Sequence, residues 1–204
     1  LHLTGQRACR TPRKTGFRYI EGAVGMNISG RIIGEKYKII CELGHGGMSV
    51  VYLALDLRLD KKWAVKEIQL SGKKHAMALQ SLKAELDVLK RIDHPILPRI
   101  VDVVYESDRT YLVMDYVEGR TLKQVVEEDG PQSPERVVKW AMELCDALHY
   151  LHSMKPPIIY RDMKPSNIIL KPDGNVKVID FGTAYEYLSD GNIYAMGTRG
   201  YAAP

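Results

Sequence analysis

The most informative stretch of the sequence reads Tyr160-Arg161-Asp162-Met163-Lys164-Pro165-Ser166-Asn167, and Asp180-Phe181-Gly182 follows it closely. Between the two, apolar runs flank Pro172-Asp173-Gly174-Asn175, a turn sequence that predicts a β-hairpin. Because a hairpin brings its ends together, we expect Asn167 and Asp180 to lie close in space, with Asp162 beside them. Two carboxylates and an amide oxygen next to a lysine suit a divalent cation and a phosphate group. The sequence therefore predicts a cation and phosphate site here.

The composition is that of a globular protein, since 45% of the 204 residues are hydrophobic and 26% are charged. No apolar run approaches the length of a membrane span within this chain. Three widely spaced cysteines, Cys9, Cys41 and Cys145, fit neither a zinc site nor a disulfide framework, which favours a reducing compartment. The formal net charge of +4 comes entirely from residues 1–25, so the remainder is neutral. A neutral domain argues against bulk nucleic-acid binding.

Both ends of the chain depart from this pattern. The chain begins with Leu1, and the first methionine is Met26, just before the patterned sequence starts. We expect residues 1–31 to be an extension outside the folded domain, either a disordered tail or sequence upstream of a true start at Met26. A basic targeting peptide is the alternative, although the apolar core of a secretory signal is missing. The other end stops at Pro204 without a helix cap, which suggests a cut.

A glycine-rich turn joins the first two strand patterns. Tyr37–Leu43 leads into residues 44–49, and residues 50–55 lead out as a second strand. Neither a P-loop nor a dinucleotide-binding loop fits, because no Gly-Lys-Ser/Thr follows and because a strand rather than a helix comes next. Such a turn lets backbone N–H groups approach a phosphate. A plain hairpin with a bulge is the alternative.

Lys66 lies in a third strand pattern, residues 62–68, among side chains that alternate towards a core. An inward lysine needs an anion, because lysines are seldom buried unpaired. Glu85 is a candidate for that anion, since it borders the leucine stripe of a helix predicted over Ala76–Arg91. The alternatives are a solvent-facing Lys66 and a solvated Glu85.

Strands give way to helices in the second half of the chain. Residues 96–104 and 110–116 are predicted as strands, and residues 122–128 as a short helix. Ser133-Pro134-Glu135 predicts the start of a helix that runs to about His152. The predicted apolar face of that helix consists of Val137, Val138, Ala141, Leu144, Leu148 and Leu151. Strands followed by helices, without internal repeats, predict an α+β class. We expect a lobe boundary near Val117–Gly119, where a cleft could bind a nucleotide base.

Taken in order, these motifs resemble the protein kinase family. The resemblance covers residues 32–204 and rests on the stretches 44–51, 64–66, Glu85, 160–167, 180–182 and 197–204. Each stretch alone could arise by chance, but the ordered set is a strong signal. The opening run 30–37, the Gly-Gly-Met-Ser turn and the Tyr-Arg-Asp variant are similar to bacterial eukaryotic-type (Hanks-type) serine/threonine kinases. Lys164 follows the serine/threonine rather than the tyrosine kinase pattern.

The resemblance implies a bilobal α+β fold. A β-rich N-lobe with one long helix would span residues 32–117, and a helical C-lobe, truncated after the activation segment, would span residues 118–204. Asn167 and Asp180 are implied to bind Mg²⁺. The residues implied to contact ATP are Leu43, Gly44, His45, Gly46, Gly47, Met48, Ser49, Val51, Ala64, Lys66, Met114, Asp115, Val117 and Ile169. Within that set Met114 resembles the gatekeeper, and residues 115–117 resemble the hinge whose backbone bonds the base.

The resemblance also implies roles for the charged residues. Lys66, paired with Glu85, would hold the α- and β-phosphates of ATP. Asp162 would orient the substrate hydroxyl or accept its proton, and Lys164 would neutralise charge on the γ-phosphoryl group. Thr198 resembles the threonine that contacts the catalytic aspartate in serine/threonine kinases.

Two departures from the family pattern are Ser49, in place of the third loop glycine, and Tyr160, in place of the usual histidine. A small serine is tolerable in the loop, and the position of Tyr160 is structural in the family, next to Asp-Phe-Gly, so neither change excludes activity. Ser189 and Thr198 are the candidates for phosphorylation in the activation segment. Arg161 is retained and could pair with such a phosphate.

The resemblance stops at Pro204, before the glutamate and the later C-lobe helices that the family pattern contains. Those helices would cover the apolar side of the helix over residues 134–152. We therefore expect the chain alone to expose core surface and to be weakly active or inactive.

The implied function is Mg²⁺-dependent transfer of the ATP γ-phosphoryl group to serine or threonine hydroxyls of protein substrates in the cytoplasm. A membrane anchor in a further C-terminal region is left open. A pseudokinase that serves as a nucleotide-binding or scaffold module is the alternative, but such a protein typically lacks one of Lys66, Asp162, Asn167 and Asp180. A small-molecule kinase is a third reading, disfavoured by the segment Thr198–Pro204.

Overall fold

An antiparallel sheet forms the first half of the molecule. The computed structural model of the protein describes residues 28–45, 49–69, 86, 89–106, 109–180, 185–186 and 200–201. Six strands lie in the order β1-β2-β3-β4-β6-β5, and every neighbouring pair is antiparallel. Their bounds are Ile32–Ile33 (β1), Tyr37–His45 (β2), Ser49–Asp56 (β3), Lys61–Gln69 (β4), Ile100–Glu106 (β5) and Arg109–Asp115 (β6). Alternate residues point to one face, where Tyr37, Ile39, Val65 and Tyr111 are buried in a common core.

The sheet curls until its two edge strands meet. Arg31, next to β1, forms an ion pair with Glu106 at the end of β5. The backbone N–H of Gly34 donates to the same carboxylate at 3.4 Å. Glycine suits this point because its φ is +54° and an added Cβ would lie 2.9 Å from the Val104 side chain. The closed edge shields the core on this face of the sheet.

Two helices begin with the caps that the sequence favours. α1 (Leu122–Asp129) starts with a capping box, in which the backbone N–H groups of Gln124 and Thr121 each donate to the other residue's side-chain oxygen, at 3.2 and 2.8 Å. α2 (Pro134–His152) starts at the N-cap Ser133, with proline in its first turn. The predicted bounds of α2 are confirmed.

The predicted hairpin is present as β9 (Ile168–Leu170) and β10 (Val176–Val178), which pair antiparallel. Gly174 in its turn has a φ of +80°, a conformation that glycine adopts readily. A single 3₁₀ turn, Pro165–Asn167, leads into β9. The other short strands are β7 (Arg120–Thr121), which pairs with β9, and β8 (Ile158–Ile159), which pairs with β11 (Tyr185–Glu186).

The predicted start of the fifth strand is wrong, since β5 begins at Ile100 and not at residue 96. The carbonyl oxygen of Ile96 accepts from the N–H of Val178 in β10, at 2.8 Å, so residue 96 bonds to the hairpin instead of the sheet. The segment joins the sheet only at Arg99, whose carbonyl oxygen accepts from the N–H of Asp115 at 3.2 Å. Pro98 lacks the N–H that a ladder needs, which keeps the sheet pairing from extending further back.

Only the second half of the predicted apolar face of α2 is buried or partly buried. Val137, Val138 and Ala141 are exposed. The helix instead buries Trp140 against the hairpin core and Ala147 against the core around β8. Leu144, Leu148 and Leu151 do pack against these cores, as predicted. The helical period of the apolar residues was predicted correctly. The helix has two adjacent apolar faces, and the one that contains Trp140 packs against the core.

Most of the helix predicted over Ala76–Arg91 lies outside the described residues. Leu86 and Leu89 have helical conformation, and the N–H of Lys90 donates to the Leu86 carbonyl oxygen at 2.9 Å. Strands in the first half and helices in the second confirm the predicted α+β class. None of the helices within the described ranges combines the length and the apolar character that a membrane crossing would require.

Candidate active site

Two neighbouring side chains hold the carboxylate of Asp162. The Lys164 Nζ lies 2.6 Å from Asp162 Oδ2, and the Asn167 amide donates to the same oxygen at 2.9 Å. The 3₁₀ turn makes these contacts possible, because the N–H of Asn167 donates to the Lys164 carbonyl oxygen at 2.9 Å. The Asp162 side chain is only 13% exposed. A carboxylate fixed in this way is suited to orient a hydroxyl group and accept its proton.

The hairpin brings Asn167 and Asp180 together, because the N–H of Ile179 donates to the Asn167 carbonyl oxygen at 3.0 Å. The amide nitrogen of Asn167 is directed at Asp162, so its amide oxygen faces away from that residue. The Asp180 side chain is 48% exposed and accessible. An amide oxygen beside an accessible carboxylate matches the oxygen ligands that Mg²⁺ prefers, and the two residues therefore fit a divalent cation.

Lys66 reaches this pair from the sheet. It lies in β4 opposite Val51 of β3 and Leu112 of β6, and its side chain is 12% exposed. Its Nζ lies 3.3 Å from Asp180 Oδ1. Sequence reasoning paired Lys66 with Glu85, which lies outside the described residues, and missed the contact with Asp180. The contact places a shielded ammonium group next to the candidate cation ligands, where it could bind a phosphate.

Tyr160 is hydrogen-bonded to the backbone of Asp180. Its hydroxyl donates to the Asp180 carbonyl oxygen at 2.7 Å, and the residue is buried. Burial raises the pKa of Tyr160 far above its usual value, the negative charges of Asp180 and Asp162 raise it further, and the Asn167 side chain opposes the rise. The hydroxyl therefore stays protonated and keeps donating, which fixes the backbone of Asp180. The structure places Tyr160 where the resemblance implied, next to the start of Asp-Phe-Gly.

The apolar residues predicted to enclose the nucleotide come from both halves of the molecule. Ala64 and Ile169 are buried, and Val51 and Leu43 are partly buried. Met114 pairs opposite Ala64 in the sheet. A small cavity behind Met114 is lined in addition by Lys66, Leu89 and Asp180. Val51, Ala64 and Met114 thus lie on the same face of the sheet as Lys66, because directly opposite residues and alternate residues of a strand share a face.

The glycine-rich turn and the hinge are the other two segments predicted to contact ATP. Gly44 of β2 pairs with Val51, and Ser49 begins β3, so the described ends of the turn continue two paired strands of the sheet. In the hinge, the N–H of Asp115 donates to the Arg99 carbonyl oxygen at 3.2 Å. Val117 is partly buried and lies outside any strand.

Several predicted site residues lie outside the described residues, and their roles stay predictions. They are Glu85, Gly46, Gly47, Met48, Ser189 and Thr198, together with the side chain of His45.

Two cations beside the hinge were missed by sequence reasoning. The guanidinium of Arg99 and the Nζ of Lys177 each lie 3.5 Å from the carboxylate of Asp115. In the sequence, Lys177 is only a lysine between two apolar residues of β10. A lysine that faces solvent from a strand shows the same pattern, so the pattern does not predict an ion pair.

Residues 37–204 match the protein kinase domain family. The chain is 36% identical over 161 residues to the serine/threonine-protein kinase PrkC of Bacillus subtilis, an alignment that covers 79% of this chain and 24% of the relative. It is 33% identical over 181 residues to the serine/threonine-protein kinase PknB of Mycolicibacterium smegmatis, covering 84% of this chain and 29% of the relative. The chain thus spans roughly a quarter of the length of these curated relatives.

Proposed function

The chain belongs to the protein kinase domain family, and from this membership we propose that the protein transfers the γ-phosphoryl group of ATP to serine or threonine hydroxyls of other proteins. The observation that supports the proposal best is the convergence of Asp162, Lys164 and Asn167, with contacts of 2.6 and 2.9 Å, beside the Lys66–Asp180 ion pair. The four groups whose loss is typical of a pseudokinase, on Lys66, Asp162, Asn167 and Asp180, are all present and close together.

In this proposal Asp162 orients the substrate hydroxyl and accepts its proton. The hydroxyl oxygen forms a bond to the γ-phosphorus, the bond to the β–γ bridging oxygen breaks, and ADP leaves. Lys164, beside Asp162, offsets negative charge on the phosphoryl oxygens. Such a reaction depends on positioning and charge neutralisation more than on covalent chemistry, which suits a site made of fixed charged groups.

The same proposal gives the neighbouring residues binding roles. Asn167 and Asp180 would hold Mg²⁺, which when bound neutralises charge on phosphate oxygens. Lys66 would bind the α- and β-phosphates. Met114, Ala64 and Ile169 would enclose the adenine, and the hinge backbone would bond its edge. A cytoplasmic location of this domain belongs to the proposal, because ATP is its phosphoryl donor.

Substitution of Asp162 by asparagine tests the proposal. In the protein as its gene encodes it, Asp162→Asn should lower phosphotransfer by about 10²–10⁴-fold, because the acceptor of the hydroxyl proton is lost. ATP binding should persist. The measurement is incorporation of labelled phosphate from ATP with Mg²⁺ into a generic protein substrate, together with calorimetric titration of ATP.

Asp173→Asn is the matched control. Asp173 lies in the exposed hairpin turn and pairs with Lys171 at 2.7 Å, so the same chemical change there should leave phosphotransfer unaltered. Full activity in Asp162→Asn would remove the assignment of the base. Binding of ATP by the unsubstituted protein without any transfer would instead identify a nucleotide-binding module.

A further inference from the structure

The side chain of Asp115 lies on the outer side of the hinge, away from the cleft. Successive residues of a strand point to opposite faces, and Met114 lines the cavity beside Lys66. Asp115, the last residue of β6, therefore points to the other face, where it lines an open groove together with Lys177. Its backbone belongs to the hinge, residues 115–117, which is proposed to bond the nucleotide base.

Lys177 connects this carboxylate to the hairpin. Its Nζ lies 3.5 Å from Asp115 Oδ2, and the two side chains are only 15% and 19% exposed. Arg99 contacts the other carboxylate oxygen at 3.5 Å but is 63% exposed, so Lys177 is the better shielded of the two cations. Lys177 lies in β10 directly opposite Ile169 of β9, the proposed apolar floor of the base site.

A second contact joins the hinge to the same hairpin a few residues later. Arg120 and Thr121 pair with Leu170 and Ile169 in a β-ladder. At Gly119 the backbone passes so close that an added Cβ would lie 2.2 Å from the Leu170 carbonyl oxygen. The segment from 115 to 121 is thus attached to the hairpin at both ends, by an ion pair at the start and by backbone contact at the end.

We propose that Lys177 is a positioning residue for the nucleotide, which acts through Asp115 to fix the separation between the hinge backbone and the Ile169 floor. Without the Lys177–Asp115 ion pair, residues 119–121 would still be attached to the hairpin through Gly119 and β7, but residue 115 would be attached only to the sheet. The base would then meet hinge donors and acceptors that are less well aligned with the floor. This inference rests on the proposed function, because it assumes that ATP binds in this cleft.

Substitution of Lys177 by methionine tests the inference, since methionine keeps an apolar stem and removes the charge. In the protein as its gene encodes it, Lys177→Met should raise both the dissociation constant and the KM for ATP by about threefold to tenfold, while kcat stays within about twofold. A merely structural role would lower the melting temperature without this separation of KM from kcat. Lys171→Met is the matched control, because Lys171 lies next to the same hairpin and its ion pair, with Asp173, stays within the turn. It should leave the affinity for ATP unchanged.

A double-variant cycle gives the second measurement. Asp115→Asn should weaken ATP binding to a similar degree, and Asp115→Asn combined with Lys177→Met should be no weaker than either single variant, because both remove the same tie. Additive losses, unchanged affinity in Lys177→Met, or a rise in kcat with unchanged KM would each overturn the inference alone. Failure of the unsubstituted protein to bind ATP would overturn the proposed function and this inference with it.

Discussion

At the scale of single residues, Asp56 is the clearest case of a buried charge that the fold accommodates. It has no exposed surface at the end of β3, and its carboxylate accepts from the N–H groups of Arg58 and Leu59 at 2.9 and 3.1 Å. Lys36 lies 3.5 Å away. Burial on its own would raise the pKa of Asp56, but the two N–H groups and Lys36 outweigh it, so the pKa is lowered below its usual value.

The lowered pKa predicts a pH-dependent contribution to stability. The contribution is present above the pKa of the unfolded chain, roughly 4, and is lost as the pH falls through the lower folded-state pKa. Asp56→Asn keeps an acceptor oxygen for the turn but removes the charge, so the loss of stability between pH 5 and the acid limit of folding should become shallower. Thermal melting across this pH range measures the effect, with the exposed Asp60→Asn as a charge-matched control. Identical slopes for Asp56→Asn and the unsubstituted protein would contradict the assignment.

The sequence predicted some of these residues and not others, for a physical reason. Asp162, Asn167 and Asp180 stand in a motif whose spacing and turn already imply their convergence. Lys177 does not, because a charged residue at an alternate strand position is usually solvated, and only the tertiary fold shows that Asp115 faces it. Residues that belong to a motif could be inferred, whereas Lys177, which belongs to none and acts through a distant partner, could not.

At the scale of elements, Gly119 determines how closely the hinge approaches β9. Its φ is +149°, and an added Cβ would also lie 2.6 Å from the Ile169 side chain. Gly119→Ala should lower the free energy of unfolding by about 2–4 kcal/mol, because backbone and not a flexible side chain must move. Urea denaturation measures the change.

Gly130→Ala is the matched comparison for that prediction. Gly130 follows α1 with a φ of +77°, but an added Cβ there would meet no atom within 4 Å. Only the cost of its glycine-type backbone conformation (φ +77°, ψ −162°) applies, about 1–3 kcal/mol, so the loss should be smaller than at Gly119. Equal costs at the two glycines would mean that close approach to β9 plays no part.

Elements with local signals were predicted well. The cap at Ser133 and the turn at Gly174 set the bounds of α2 and of the hairpin, and both are confirmed. The start of β5 was not predictable in the same way, because the residues around Ile96 are apolar whichever neighbour they bond. Ile96 bonds to Val178 of β10, which lies 82 positions later in the sequence, and no local pattern predicts a contact of that range.

At the scale of the whole molecule, three large apolar side chains are exposed on one side of α2. Val137, Val138 and Met142 are 48%, 56% and 68% exposed. This agrees with the expectation that the helix would show core surface. Contiguous apolar surface of this kind favours association, and we expect the 204-residue chain to self-associate at high concentration.

Replacing Val138 and Met142 together by lysine should weaken that self-association by about tenfold or more, because two apolar side chains can no longer be buried between copies. The free energy of unfolding should change by less than about 0.5 kcal/mol, since both positions are on the surface. Light scattering against protein concentration gives the first quantity and urea denaturation the second. Val126→Lys on α1, which is 52% exposed, is the control and should leave association as it was. Unchanged light scattering in the double variant would mean that a different surface mediates self-association.

The order of strands and helices made the α+β class predictable from the sequence, but the closure of the sheet was not. Residues 1–31 were expected to lie outside the domain, and the described part of this range contradicts that expectation at Arg31. Its ion pair with Glu106 spans 75 positions of sequence, and a lone arginine before a short apolar run carries no signal of it.

This closure shows that the sheet needs residues that the family match does not include. The match to the protein kinase domain begins at Tyr37, whereas Ile33 is completely buried and Arg31 clasps the opposite edge of the sheet. A chain trimmed to residues 37–204 would lack Ile33, which leaves a cavity in the core, and Arg31, which leaves the edge strand β5 without its ion pair. A chain prepared for expression or crystallisation should therefore start before residue 28, so that Arg31 and Ile33 are kept, and not at Tyr37, where the family match begins.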